Sequence, residues 1–282
     1  MERFGGDTRL LTRRRVGRRA QAAALATALC AAVAARADGI DLAPGYLPNY
    51  FGVGVGFAPD YIGSDDFRIA AAPIGRASWG NRYLEVVANF ASANVLDHPN
   101  WKVGPAGTFR PSRDDVDDAA VRRLPDVDAA LELGGFLAYE TNLRGEPRRR
   151  LRVGASLAHD VTGAHDGYVA SASVRKWFPV AQFAAVGVSL GTSYGSGNYA
   201  DSYFSVTPGG AAASGLQAFD ADAGFRDVRA TAMFVQPVSP RILLGVGALY
   251  GRLLGDAGDS PIVGERGSRD QFIFGLGGAV LF

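Results

Sequence analysis

Arg269-Asp270-Gln271-Phe272-Ile273-Phe274-Gly275-Leu276-Gly277-Gly278-Ala279-Val280-Leu281-Phe282 closes the chain and decides how the rest of it is read. In an extended strand, successive side chains point to opposite faces. Phe282, Val280, Gly278, Leu276, Phe274 and Phe272 therefore share one face. Leu281, Ala279, Gly277, Gly275, Ile273 and Gln271 share the other. A helix here is disfavoured, because three glycines within four positions cost about 1 kcal/mol each relative to alanine. One bulky apolar face against one face of small residues suits a wall between lipid and a lumen. A buried sandwich strand is the alternative that this segment alone leaves open.

The same pattern recurs at the other end of the chain. Tyr50-Phe51-Gly52-Val53-Gly54-Val55-Gly56-Phe57 places Phe51, Val53, Val55 and Phe57 on one face and three glycines on the other. Before it, Arg3, Arg9, Arg13, Arg14, Arg15, Arg18 and Arg19 precede the apolar run Ala20–Ala35 and the small-x-small site Ala35-Arg36-Ala37. That layout predicts a cleaved signal peptide over 1–37, a periplasmic leader over 38–48 and a barrel over 49–282. An N-terminal membrane anchor is the competing reading, but the run is short and alanine-rich for a spanning helix. Residues 1–37 hold eight of the 29 basic and two of the 28 acidic residues, so the remainder carries 21 against 26, a net charge of −5. Nothing in that balance points to nucleic acid. The single cysteine, Cys30, falls in the signal segment, so no disulfide supports the exported chain.

Eleven strand segments are legible: Tyr50–Phe57, Phe67–Trp79, Arg82–Leu96, Trp101–Arg110, Asp126–Glu140, Arg149–Val161, Tyr168–Trp177, Gln182–Tyr194, Phe225–Val235, Arg241–Arg252 and the closing one. Single-chain bacterial barrels use an even number. Tyr199–Val206 is the candidate for a twelfth strand, and merging two early segments gives ten. The expected fold is an all-β, transmembrane, antiparallel up-and-down barrel of about 12 strands, closed by the strand ending in Phe282. Trp79 and Tyr83 flank the Gly80-Asn81 turn, where an interfacial aromatic girdle is expected. Ser112–Pro125 reads as a charged loop with a helical turn, and Gly255–Gly267 as the last long loop.

Asp126, Asp128, Glu132 and Glu140 alternate with Val127, Leu131, Leu133, Leu137 and Tyr139. Carboxylates facing lipid are expensive, so these four look into a lumen or a watery rim. Arg150 and Arg152 on the next segment make the most economical reading a set of lumenal charge pairs, with a solute filter as the alternative. His98, His159 and His165 match no metal-ligand spacing. Ser156, Ser171 and Ser173 with His159 carry the residue types of a hydrolytic site, but not a geometry. The acidic loops Tyr61–Asp66 and Asp256–Asp259 read as solvated turns, with calcium or a divalent bridge to lipopolysaccharide as the alternative. No catalytic residue, metal site or cofactor is assigned.

Several stretches together resemble the MipA/OmpV family, the MltA-interacting proteins of the outer membrane. They are Pro59–Asp66, Gly104-Pro105, Asp126-Val127-Asp128 leading to Glu132-Leu133-Gly134, His165-Asp166-Gly167, Tyr203–Val206 and Leu253–Val263. Gly277, Val280 and Phe282 also resemble the terminal assembly signal of bacterial outer-membrane barrels. The resemblance implies a non-enzymatic barrel in the outer membrane of a Gram-negative cell, in contact with lipid, lipopolysaccharide and the barrel-assembly machinery. It further implies a scaffold between a lytic murein transglycosylase and a murein synthase in peptidoglycan turnover. A small-solute porin and a surface adhesin are the alternatives it carries. A soluble exported β-protein would be extracted without detergent.

Overall fold

The computed structural model describes residues 49–146 and 148–282; the expected signal peptide and leader lie outside the described residues. Twelve strands form one closed antiparallel barrel, each pairing with its sequence neighbours and the last with the first. They are β1 (Tyr50–Pro59), β2 (Phe67–Trp79), β3 (Arg82–Val87), β4 (Phe90–Asn94), β5 (Trp101–Arg110) and β6 (Ala130–Asn142). They continue as β7 (Arg150–Asp160), β8 (Tyr168–Pro179), β9 (Ala185–Gly195), β10 (Gly224–Ser239), β11 (Ile242–Leu253) and β12 (Asp270–Leu281). At the seam Tyr50 faces Leu281 and Phe57 faces Phe274. Phe282 N–H donates to the Asn49 carbonyl at 2.8 Å, so both described ends meet at one rim, the near rim.

The alternation sets inside and outside as the sequence requires. Phe51, Leu190, Leu276 and Phe282 are each more than 60% exposed, part of an apolar belt carried from strand to strand. Such a belt is stable only against hydrocarbon, so the barrel spans a membrane. Trp101 and Tyr139 pack edge-on at 5.1 Å towards the near rim; towards the far one Tyr194 packs edge-on with Phe225 at 5.7 Å and Tyr250 lies tilted against Phe272 at 5.3 Å. Tyr83 does not join a girdle: it points inward and is buried, with the Arg76 guanidinium 3.8 Å from its ring centroid.

The twelfth strand is not where the sequence placed it. Arg82–Leu96 is two strands, because Ala88 adopts φ +53° and turns the chain with Asn89. The inward set shifts there from Tyr83, Glu85 and Val87 to Phe90, Ser92 and Asn94. Tyr199–Val206 is not a strand: helix α1 spans Gly197–Phe204, capped by the Ser196 side chain, which accepts from Tyr199 N–H. Tyr199, Ala200, Tyr203 and Phe204 are its buried residues, which is a helical period and not an alternation. Helix α2 (Pro208–Ser214) follows, with Thr207 as cap, Pro208 in the first turn and Gly215 in the left-handed region after it. The last long loop holds α3 (Gly255–Asp259) and α4 (Pro261–Gly264).

These helices and the long loops gather at the far rim and pack as a lid. One cluster joins Val127, Val169, Tyr199, Phe204, Leu253 and Val263, and another joins Tyr61, Val121, Leu124, Val206 and Ile262. Ser260 Oγ donates to the Phe204 carbonyl at 2.6 Å, Tyr61 Oη to the Arg266 carbonyl at 2.9 Å, and Arg113 to the Tyr203 carbonyl at 3.0 Å. Val121–Arg123 forms the helical turn expected in the charged loop. Burial works against the Asp118 carboxylate. The Arg266 hydrogen bond and the Val121 and Ala120 N–H groups outweigh it and hold its pKa below the usual carboxylate range. A depressed folded pKa stabilises the lid above the unfolded value of about 4, and that contribution is lost as pH falls through the folded one. Amide exchange in 113–124 should therefore be slow at pH 7 and faster at pH 3 after correction for intrinsic rate. Equal protection at both, or an Asp118→Asn variant indistinguishable from the parent at pH 7, would remove this latch from the account.

Candidate functional site

The lumen is divided along its length into a charged half and an apolar half. Strand register builds the first. Arg76 lies directly opposite Glu85 and Glu140 opposite Arg152. Arg76 Nη1 donates to Glu85 Oε1 at 2.9 Å. Glu140 takes Arg152 at 2.5 Å on one oxygen and Arg150 on the other, while Arg152 also donates to Tyr83 Oη at 2.9 Å. Lys102 Nζ donates to the His98 carbonyl at 2.7 Å below them.

A second network sits under the lid. Arg110 grips Glu132 with two hydrogen bonds, 2.5 and 2.9 Å, and His165 Nε2 lies 3.1 Å from the same carboxylate. Arg226 donates to Tyr199 Oη at 2.6 Å and to Asp227 at 2.7 Å, and Ser193 Oγ donates to Asp227 at 2.8 Å. Burying such charges is costly unless each is paired and hydrogen-bonded, and these are. Their pairing ties neighbouring strands together across the inner wall.

Of the charges singled out in the sequence, Glu132, Glu140, Arg150 and Arg152 meet in these networks. Asp126 and Asp128 do not: β6 begins at Ala130, and both stand before it, exposed. Sequence reading missed Arg76, Glu85, Arg110 and Asp227. The Arg76–Glu85 pair carried a usable signal, since the two positions are equidistant from the Gly80-Asn81 turn. Ser156, Ser171 and Ser173 line the lumen with Arg152, whereas His159 turns outward and is exposed, so they form no hydrolytic constellation. Among the described residues no cluster of three His, Cys, Asp or Glu is arranged to hold a metal. Gly277 faces inward between Gly54 and Gly245; Val280 and Phe282 face outward.

The other half of the lumen, on β10–β12, β1 and β2, is a cavity of about 200 Å³ with an almost wholly apolar lining. Gly54 pairs with Gly277 and Gly277 with Gly245; Gly56, Gly275 and Gly247 repeat this one step on. The missing side chains are the space. Towards the near rim Tyr50, Trp177, Leu243 and Leu281 pack in one buried cluster. Towards the far rim stand Gln271, buried and hydrogen-bonded to the Ser64 and Ser268 carbonyls, and the lid above it.

A family model described as MltA-interacting protein MipA matches residues 51–282. No curated protein matches the chain. Among solved structures it is similar to the NanC porin, at 8% identity over 82% of this chain and 100% of that one, with a TM-score of 0.46. It is also similar to the COG4313 outer-membrane channel of Pseudomonas putida F1, at 11% identity over 86% of this chain and 100% of that one, with a TM-score of 0.44.

Proposed function

The chain belongs to the MltA-interacting protein MipA family, and from that premise we propose that it is a non-conducting, non-enzymatic outer-membrane barrel that holds a lytic murein transglycosylase at the periplasmic surface. On this reading 1–37 are removed on export, 38–48 form a periplasmic leader, and Gly277, Val280 and Phe282 address the chain to the assembly machinery. The observation that carries it is an obstructed lumen. An apolar side-chain cluster packs towards the near rim, the lid packs over the far one, and buried ion pairs line the wall between. A barrel obstructed in this way is useful as an anchored surface more than as a passage. The near rim is the periplasmic one, as it is where both described ends meet. Its short turns expose Phe183, Val180 and Val238 on neighbouring hairpins, an apolar start for a partner surface. The leader would add area to turns that are small for a stable interface.

In planar bilayers the folded, heat-modifiable protein should give no discrete conductance steps, and cross-linking in native envelopes should recover an MltA-type transglycosylase through near-rim residues. Reproducible steps from the intact protein would replace this reading with the small-solute channel. A silent barrel that captures no murein enzyme would leave an anchored surface with a different partner.

A further inference from the structure

We propose that the apolar cavity takes a hydrocarbon chain of a membrane lipid, admitted sideways through a notch in the barrel wall above β3 and β4. These two strands have six and five residues, whereas the other ten have between 10 and 16. Their turn at Ala88-Asn89 therefore lies within the wall and not at the rim. β2 pairs with β3 only from Ile74 to Trp79, so the stretch Phe67–Pro73 has no strand beside it on that side. Across the gap, β4 pairs with β5 as far as Phe90 opposite Thr108, and Asn89 ends the ladder by accepting from Phe109 N–H and donating its Nδ2 to the Phe109 carbonyl, both at 2.9 Å.

The residues at the gap suit an unpaired edge facing lipid. The Pro73 carbonyl accepts from Ala88 N–H at 2.8 Å. Proline has no N–H to leave unpaired, and it is tolerated where a ladder ends. The outer lips, Phe67, Ile69, Pro73, Ala91 and Phe109, are apolar or small and exposed. At the top of the notch Arg68 pairs with Asp60 and donates to the Asp115 carbonyl at 3.2 Å.

The cavity reaches this gap. Ala72, Ile74, Val87 and Ala88 belong both to its lining and to the sill of the notch. With the near-rim cluster and the lid lying along the barrel axis, the notch gives the cavity a sideways route into the hydrocarbon belt. An apolar cavity of roughly 150 Å³ stays dry and accepts a small hydrocarbon, and this one is somewhat larger. A nonpolar group arriving from the bilayer loses no hydration on entry, so the occupant is selected by access and shape, and an acyl chain has both.

The test uses Trp177, which packs beside the cavity with Val235, Leu243 and Ala279. Trp79→Phe with Trp101→Phe leaves it the only tryptophan. In detergent-free vesicles of phosphatidylcholine brominated near the chain end, Trp177 fluorescence should be quenched relative to unbrominated vesicles. Filling the cavity should remove at least half of that quenching. Gly54→Leu with Gly247→Leu fills it from one wall, where an added Cβ meets nothing closer than 3.6 and 3.5 Å. Ala72→Phe, on β2 directly beside Gly54, is the second filling variant, should the first fail to assemble. No quenching in the parent, or quenching unchanged by a filled and folded variant, overturns the proposal. The conductance and cross-linking results do not bear on this outcome.

Discussion

Glu132→Leu is expected to destabilise the barrel by about 3–5 kcal/mol, the usual cost of stranding one member of a buried ion pair. Glu132 is 1% exposed and receives both Arg110 hydrogen bonds while His165 lies against it. Without the carboxylate, the Arg110 guanidinium stays buried with its bidentate partner gone, and water cannot readily reach it beneath the lid. Adding Arg110→Met should recover most of the loss, because a packed apolar pair avoids the desolvation that the ion pair had to offset. Urea unfolding in lipid vesicles, followed by tryptophan emission, measures both. A single variant within about 1 kcal/mol of the parent would mean that Arg110 finds new partners or water, and that the network is looser than its distances imply.

Gly52→Val is expected to abolish barrel closure. A Cβ at Gly52 would lie 2.0 Å from the Gly278 carbonyl oxygen and 2.5 Å from Ala279 Cα, both backbone atoms across the seam. Backbone cannot yield as a side-chain tip can, so β1 and β12 must separate. Their separation exposes two ladders to hydrocarbon, where each unmade hydrogen bond is expensive. The heat-modifiable band should be lost. Gly54→Ala, two residues on in the same strand, is the control, since its Cβ meets nothing nearer than 3.6 Å. If Gly52→Val runs as a folded band, the seam is wider than this register allows.

The barrel was legible because its outer face must be apolar whatever the inside does. That constraint wrote Phe272, Phe274, Leu276 and Val280, and likewise Phe51, Val53, Val55 and Phe57, into strict alternation. The inside carries no such rule. Glu140 and Arg152 could be placed facing inward, but their pairing needed the β6–β7 register, and Arg110 with Glu132 needed β5 and β6 aligned across a 19-residue connection. The lid was less legible still. Its helices are short and glycine-rich, and they are held by tertiary packing more than by helix propensity. Ser196, Thr207 and Ser260 cap three of them, and those caps were the available signs. The split at Ala88 escaped because Ala-Asn lacks the glycine that marks most tight turns.

The seam between β1 and β12 also imposes an order on assembly. It joins the first described strand to the last, so the ring cannot close until β12 has been delivered. Every shorter intermediate is an open ribbon with two raw edges and a greasy outer face, a form prone to sticking to its own kind. Contacts this distant in sequence also make spontaneous closure slow. The speed with which the last strand finds the first, rather than the depth of the folded minimum, therefore sets how much of the chain ends as a closed barrel.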